Sequence, residues 1–154
     1  MNLNKKSAQK GFTLIEILVV IGIIAVLATI VLIAINPARQ FAQARNTQRV
    51  SNVNAILNAV GQYVADNKGT LPTGIPSAAP AKNIATAGAN LCSSIMPTYI
   101  SSLPSDPQAT NGGISITDCS ASYDTEYTII QDASGRVTVA APKAELSQTI
   151  SITR

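Results

Sequence analysis

The longest hydrophobic pattern in the chain lies near its N-terminus. Nineteen residues from Ile17 to Ile35 carry no charge; fourteen are Ile, Leu or Val, three are Ala, and the others are Gly22 and Thr29. A helix rises about 1.5 Å per residue, so this run covers about 28 Å, close to the ~30 Å hydrocarbon core of a bilayer. The pattern predicts a helix that spans a membrane.

A cleaved secretory signal and a buried core helix are the two alternatives for this run. Secretory apolar segments are shorter, about 7 to 15 residues, and a 154-residue chain has little else to surround so uniformly aliphatic a helix. Insertion gains about 4 to 8 kcal/mol from the fourteen large aliphatic residues. That gain exceeds the cost of Glu16, which stands at the start of the run and costs less than the ~2.5 to 3.5 kcal/mol of a central carboxylate.

A second helix is predicted after an interruption at Pro37. Proline has no N–H to donate and disfavours helical geometry at Asn36, so we expect a kink there. The helical pattern resumes from Ala38 to about Asp66, where the sequence Asp-Asn-Lys-Gly ends it. Its apolar stripe, predicted to face a partner surface, is Val50, Val53, Leu57, Val60 and Val64. Its arginines are predicted on other faces: Arg39, Arg45 and Arg49.

The last third of the chain has the pattern of a small antiparallel sheet. Residues 127–131 and 136–140 flank a turn in which Gly135 can take a positive φ, so they predict a hairpin. Residues 114–117 and 149–153 predict two further short strands, and residues 91–95 a short helix within a region otherwise rich in loop residues. The predicted fold class is α+β, with the stripe of the long helix packed on the sheet.

Composition excludes several classes of function. The chain has no His, which removes His-based catalysis and His metal ligation, and no paired carboxylates, activated nucleophile or glycine-rich phosphate loop is evident, so we do not expect an enzyme. The net charge of +3 comes from Lys5, Lys6 and Lys10; without residues 1–11 the chain keeps 11 − 3 = 8 basic and 8 acidic residues. Such a neutral chain is not expected to bind nucleic acid as its main role.

The junction between the basic tail and the apolar run carries a specific motif. Gly-Phe-Thr-Leu-Ile-Glu, from Gly11 to Glu16, follows basic residues and precedes the membrane-length run, and this arrangement resembles the processing site of type IV prepilins and type II secretion pseudopilins. The resemblance implies a type IV pilin-like fold, cleavage after Gly11 by a prepilin peptidase, N-methylation of Phe12, and retention of the apolar helix. In one respect the chain differs: the family commonly has proline where this sequence has Ile33, whereas here Pro37 follows one turn later.

The chemistry of the motif residues suits the roles that the resemblance implies for them. Gly11 has no side chain to clash in a protease cleft, and cleavage would create a cationic amine at Phe12, one helical turn before Glu16. A carboxylate in hydrocarbon needs a positive partner, and the resemblance implies that Glu16 meets the amine of Phe12 of an adjacent subunit and so sets the register of assembly. The simpler alternative is that Glu16 only caps the helix.

The cysteines and the acidic loop residues are weaker candidates. Cys92 and Cys119 can form a disulfide worth about 3 to 4 kcal/mol in a compartment that permits oxidation; two unpaired thiols are the alternative. Some pseudopilins bind calcium, and oxygen ligands occur in a comparable loop here, but they lack a recognisable spacing and turn chemistry explains them more simply. These residues are Asp106, Asn111, Asp118, Asp124 and Glu126. We therefore expect no cofactor, with calcium as a minor alternative.

Together these patterns predict four segments: a cleaved leader (1–11), a membrane and filament-core helix (12–36), the amphipathic half of the long helix (37–68) and a globular head outside the membrane (69–154). The function predicted is that of a structural subunit of a type IV pilus-like filament. It would lie in the cytoplasmic membrane with its N-terminus inside before assembly on an inner-membrane platform with other pilins, and at the cell surface afterwards. The alternatives are a major pseudopilin of a type II secretion system, which the segment Leu103–Pro107 resembles, and a DNA-binding minor competence pilin.

Overall fold

The computed structural model describes residues 11–34 and 36–154 of the chain. Within these residues the chain divides into two compact units after Gln40, and the second, Phe41–Arg154, is called the head below. The elements in chain order are α1 (Leu14–Ala34), α2 (Pro37–Asp66), β1 (Lys82–Ala85), α3 (Cys92–Ile95), β2 (Asp124–Gln131), β3 (Val137–Ala141) and β4 (Ile150–Thr153).

Helix α2 begins with a side-chain cap. The Asn36 side-chain oxygen accepts a hydrogen bond from the backbone N–H of Arg39 at 3.2 Å, which satisfies one of the free donors of the first turn. Pro37 occupies the first helical position, where its missing N–H costs nothing and its fixed φ suits the helix. The sequence around Pro37 therefore both ends one helical pattern and starts the next.

Helix α2 ends at the residue that the sequence predicts. The last helical residue is Asp66, and both Lys68 and Gly69 have positive φ angles of 56° and 86°. The Gly69 N–H donates to the Val64 carbonyl at 2.9 Å, a pattern that satisfies carbonyls left free at a helix end.

The sheet of the head is antiparallel with the order β1-β2-β3-β4. In the central pair Ile129 lies opposite Val139, and both side chains are fully buried. Helix α2 contributes the other side of the core with the buried residues Ala42, Asn46, Arg49, Val53, Ile56, Leu57, Ala59 and Val60. The predicted α+β class, a long N-terminal helical region followed by a small antiparallel sheet, is confirmed.

Two parts of the predicted packing are wrong. The sequence predicts that Val50 packs on the sheet with the rest of the stripe, but its side chain is 41% exposed, because the face of α2 that enters the core runs through Asn46 and Arg49 instead. The sequence also predicts Arg49 on another face of α2, whereas the structure buries it fully. The spacing of apolar residues correctly predicts that Val53, Leu57 and Val60 are buried. It does not indicate that polar side chains extend the same buried face.

Two strand predictions also need correction. Residues 114–117 do not form a strand; only Ile116 pairs, through an isolated bridge with Leu103. Strand β1, in contrast, lies in a region predicted as loop, and its pairing with β2 is irregular between Asn83 and Ala85. Such a short, irregular edge strand has no clear alternation of polar and apolar residues, so periodicity does not reveal it.

Candidate assembly segment and the polar network of the head

The residues of the predicted processing motif lie at the start of α1. Gly11 and Phe12 precede the first helical residue, Phe12 is 81% exposed, and a Cβ atom placed on Gly11 would meet nothing within 4 Å. The peptide bond between these residues is therefore exposed and not helical, as a protease substrate must be. Lys5, Lys6 and Lys10 lie outside the described residues.

Thr13 and Glu16 form a reciprocal cap at the start of α1. The Glu16 N–H donates to the Thr13 hydroxyl at 3.3 Å, and the Thr13 N–H donates to a Glu16 carboxylate oxygen at 3.3 Å. The Thr13 hydroxyl also lies 3.4 Å from the same carboxylate oxygen. This arrangement is a capping box, in which Thr and Glu three residues apart satisfy each other's backbone donors.

The capping box bears directly on the role of Glu16. Within one chain the Glu16 carboxylate caps its own helix, as the simpler interpretation expects. Its predicted contact with the amine of Phe12 on an adjacent subunit involves a second, processed chain and stays a prediction. The role of Thr13 is not among the sequence predictions, although Thr-Leu-Ile-Glu has the spacing of a capping box and is the signal that indicates it.

Helix α1 exposes apolar side chains on every face. Its 21 residues include none that is buried, and among the described residues it is the one helix long and apolar enough to cross a membrane. The large side chains exposed along it are Leu14, Ile15, Ile17, Leu18, Val19, Val20, Ile21, Ile23, Ile24, Val26, Leu27, Ile30, Val31, Leu32 and Ile33. A helix that is apolar all round is stable only inside a bilayer or among other apolar helices.

The head contains a buried network of charged side chains centred on Arg49. Its guanidinium makes two bonds to the Asp106 carboxylate, at 2.7 and 3.0 Å, and both side chains are fully buried. It also donates to Glu145 at 2.9 Å and to the Gln108 side-chain oxygen at 2.8 Å. Glu145 in turn accepts two bonds of 2.7 Å from Arg45. One arginine therefore joins α2 to two loops that are distant in sequence.

Asn46 completes the network from the same face of α2. Its side-chain oxygen accepts the Glu145 N–H and an Arg49 N–H, each at 2.9 Å, and its amide nitrogen donates to the Glu145 carbonyl and to Gln148, each at 2.8 Å. These bonds hold the loop that contains Leu146 and Ser147, two non-glycine residues with positive φ angles of 57° and 56°. A backbone in this rarely populated region persists only when its surroundings fix it.

The network perturbs the pKa values of its members. Hydrogen bonds from Arg45 and then from Arg49 lower the pKa of Glu145 to about 2. The hydrogen bond to Asp106 raises the pKa of Arg49 above its usual value, although burial opposes this. Glu145 is therefore charged throughout the physiological range, and the network stays ionic.

The oxygen ligands considered for calcium have other partners. Asp106 binds Arg49, Asp118 accepts the N–H and hydroxyl of Ser120, and Asn111 bonds the backbone of its own loop. Glu126 forms an ion pair with Lys143; burial disfavours its charge, yet hydrogen bonds from Lys143 and the Thr110 N–H hold its pKa below the usual value. Within residues 11–34 and 36–154 no three acidic or cysteine side chains form a metal-binding group.

The predicted disulfide between Cys92 and Cys119 is present, with the two Cα atoms 5.5 Å apart. Cys92 is the first residue of α3 and is fully buried, whereas Cys119 lies in the segment before β2. The Cys92 N–H donates a hydrogen bond to the Tyr123 hydroxyl at 3.2 Å. The disulfide thus fixes the loop region to the core beside α3.

Comparison with known proteins agrees with these features. Residues 6–32 match a protein family described as the prokaryotic N-terminal methylation motif. The type II secretion system core protein G of Escherichia coli (strain K12) is 37% identical over 101 residues, or 64% of this chain and 66% of that protein. The fimbrial protein EcpC of Eikenella corrodens is 32% identical over 114 residues, or 73% of this chain and 64% of that protein.

The chain thus spans just under two thirds of the length of each of these relatives. No solved structure matches it significantly. The methylation motif covers the capped start of α1 and most of its apolar length, and the two relatives extend the similarity into the head. The predicted resemblance to type IV pilins and type II secretion pseudopilins is confirmed by this motif and by the two relatives.

Proposed function

We propose that the chain is a structural subunit of a type IV pilus-like filament that is assembled through its N-terminal helix. The observation that carries the proposal is the complete exposure of α1, whose apolar side chains cover all faces. Before assembly a bilayer covers this surface. When the helix leaves the bilayer, the same surface must be covered by other copies, since returning it to water would forfeit the free energy of insertion.

The capped end of α1 supports a defined order of events. Cleavage after Gly11 by a prepilin peptidase releases a charged amine at Phe12, which is then methylated, and the exposed peptide between these residues fits this step. The amine of one chain pairs with Glu16 of a neighbour. Glu16 leaves its bonds to Thr13 for a full positive charge, which is a stronger partner in an apolar medium.

The head supplies the outside of the filament. Before assembly it lies on the exoplasmic side of the cytoplasmic membrane, and an inner-membrane platform with other pilins adds subunits at the base. Its disulfide suits a compartment that permits oxidation. The head's part is mechanical and interactive, and we propose no catalytic activity for the chain.

A second candidate function is that of a major pseudopilin of a type II secretion system. The 37% identity with a type II secretion system core protein G favours it, while the similarity to a fimbrial protein favours the pilus. The two candidates share the processing and the assembly chemistry and differ in whether the filament leaves the cell surface. The DNA-binding alternative draws no comparable support, and calcium binding stays a minor alternative to the prediction of no cofactor.

Two measurements test the proposal. Mass spectrometry of the native protein should find a chain that begins at methylated Phe12; a chain that begins at Met1 refutes the processing step. Shearing of cells followed by electron microscopy should find filaments that contain the protein.

Variants of Glu16 test its role in assembly. A Glu16→Leu variant should still insert into the membrane but lose assembly, and Glu16→Gln is the matched control that removes the charge at constant size. Normal filament yield and spacing in both variants would contradict the role of Glu16.

To separate the candidates, the gene is deleted and two outputs are compared. Loss of surface filaments with normal secretion of exoproteins supports the pilus. Accumulation of exoproteins inside the cell, with no filaments on wild-type cells, supports the pseudopilin.

A further inference from the structure

The head has an open apolar notch beside the end of α2 that none of the described residues fills. It has a volume of about 240 Å³, and the side chains of Leu57, Val60 and Val137 form its buried lining. Gly61 and Gly135 also line it, and a Cβ placed on Gly61 would meet nothing within 4 Å. Missing side chains at these two positions therefore leave the notch open to an incoming apolar group.

One positively charged residue, Arg154, lies among the residues that line the notch. The Arg154 guanidinium is hydrogen-bonded to the uncharged side-chain oxygens of Asn54, at 2.9 Å, and Asn58, so no carboxylate of these partners neutralises it. Arg136 is also close in sequence, but it is paired with Asp132 at 2.9 Å and adds no net charge. The group that suits this notch is an apolar side chain with a carboxylate nearby.

The head itself presents such a group on another loop. Ile114 is 70% exposed, the most exposed large apolar side chain of the head. Asn111 holds its loop in place: its amide donates to the Ile114 carbonyl at 2.8 Å and its side-chain oxygen accepts the Gly113 N–H at 3.1 Å. Asp118, four residues further on, is exposed, and its bonds to the hydroxyl and N–H of Ser120 lower its pKa, so it is anionic.

The notch and the Ile114 loop lie at opposite ends of β2. The Thr110 N–H, at the start of the loop, donates to Glu126 near the beginning of β2 at 3.0 Å, whereas Gln131 at the end of β2 lines the notch. Five residues of strand separate these positions by about 17 Å. Ile114 therefore cannot fill the notch of its own chain, and a contact between the two requires a second copy.

We infer that the notch of one head receives Ile114 of a second copy of this chain, with Asp118 of that copy facing Arg154. The contact joins two different surfaces, so each copy can receive one neighbour and enter another. A contact of this kind that does not close into a ring generates a fibre. The inference rests on the proposed filament function and specifies which surfaces of adjacent heads touch.

Photo-crosslinking in assembled filaments tests this contact directly. Ile114 is replaced in the full-length chain by the photoreactive amino acid benzoylphenylalanine, sheared filaments are irradiated, and the crosslinked peptides are identified by mass spectrometry. The inference expects crosslinks to residues 57–71, 131–137 or 154 of a second copy. Crosslinks confined to other segments would overturn it while leaving the filament function intact, and an absence of filaments from wild-type cells would overturn both.

A coupling experiment keeps the inference testable if the bulky label blocks assembly. Ile114→Ala removes three buried carbons at about fourfold in affinity each, so each contact weakens roughly sixtyfold, and Gly61→Trp fills the notch. Both should lower the yield of sheared filaments, and the double variant should be no worse than the more severe single variant, because both remove one contact.

Matched controls are available on the same helix. Ala65→Trp adds the same side chain one turn after Gly61 at an exposed position outside the notch, and Val50→Ala truncates another exposed apolar residue. Both controls should assemble normally. Equal losses in variant and control, or losses that multiply in the double variant, would show that Ile114 and the notch do not meet.

Discussion

Replacing Arg49 should be the most damaging single substitution of a charged residue in the head. Arg49→Met keeps an unbranched apolar side chain but leaves the Asp106 carboxylate fully buried without its cation. The hydrogen bond that remains for that carboxylate is the Gln108 N–H at 2.8 Å. Breaking a buried pair in this way costs about 3 to 5 kcal/mol, a large fraction of the ~5 to 15 kcal/mol stability of a typical domain.

Replacing the other partner should cost less. In Asp106→Leu the Arg49 guanidinium keeps its bonds to Glu145 at 2.9 Å, Gln108 at 2.8 Å and Asn46 at 2.9 Å. The double variant Arg49→Met with Asp106→Leu removes both buried charges, and apolar replacement of a whole pair is often neutral or stabilising. We therefore expect the double variant to be more stable than Arg49→Met alone.

Tyrosine fluorescence during urea unfolding measures these differences on the full chain in detergent. All four tyrosines lie in the head and the chain has no tryptophan, so the signal does not report α1. Arg39→Met is the matched control, since Arg39 is exposed. An Arg49→Met variant within about 1 kcal/mol of the wild type, or a double variant less stable than either single variant, would refute the account of the network.

Three further predictions concern other features. Because the pKa of Glu145 is lowered from 4.5 to about 2 in the folded protein, its stabilising effect is present above pH 4.5 and is lost as the pH falls towards 2. An acid titration followed by Tyr fluorescence should show this loss of stability in the wild type and a smaller loss in Glu145→Gln. Replacing Cys92 and Cys119 together by Ala should lower the free energy of unfolding by about 3.5 kcal/mol, the chain-entropy value for a 27-residue separation, and urea unfolding with no change would contradict it. Thr13→Val should remove the capping box and destabilise the first turn of α1 by about 1 kcal/mol, seen as faster amide exchange at residues 14–16 in micelles, whereas Thr13→Ser should exchange at the wild-type rate.

The features that the sequence predicted well are those set by neighbouring residues. The apolar run that forms α1, the end of α2 at Asp66 and the turn at Gly135, whose φ is 84°, each depend on a few adjacent side chains. The capping box of Thr13 and Glu16 belongs to this group too, although only Glu16 was recognised. Local chemistry contains the information for all of them.

The features that the sequence could not predict depend on partners far along the chain. Arg49 is buried because Asp106 and Glu145, 57 and 96 residues away, meet it there. An arginine on a helix is normally counted as exposed, so no pattern within α2 could show that this one lies in the core. Strand β1 is likewise defined by its pairing with β2 and not by its own four residues.

The cap at Asn36 stabilises the first turn of α2 independently of the residues that precede it. A helix that depends on the preceding turn for its first hydrogen bonds frays when that turn is lost, since each lost bond frees the next residue. Here Pro37 needs no bond, and the Arg39 N–H is satisfied by the Asn36 side chain. Unwinding of the chain before Asn36 under a pulling force would therefore stop at this cap, and the extended segment would lengthen the subunit without opening the core that α2 shares with the sheet.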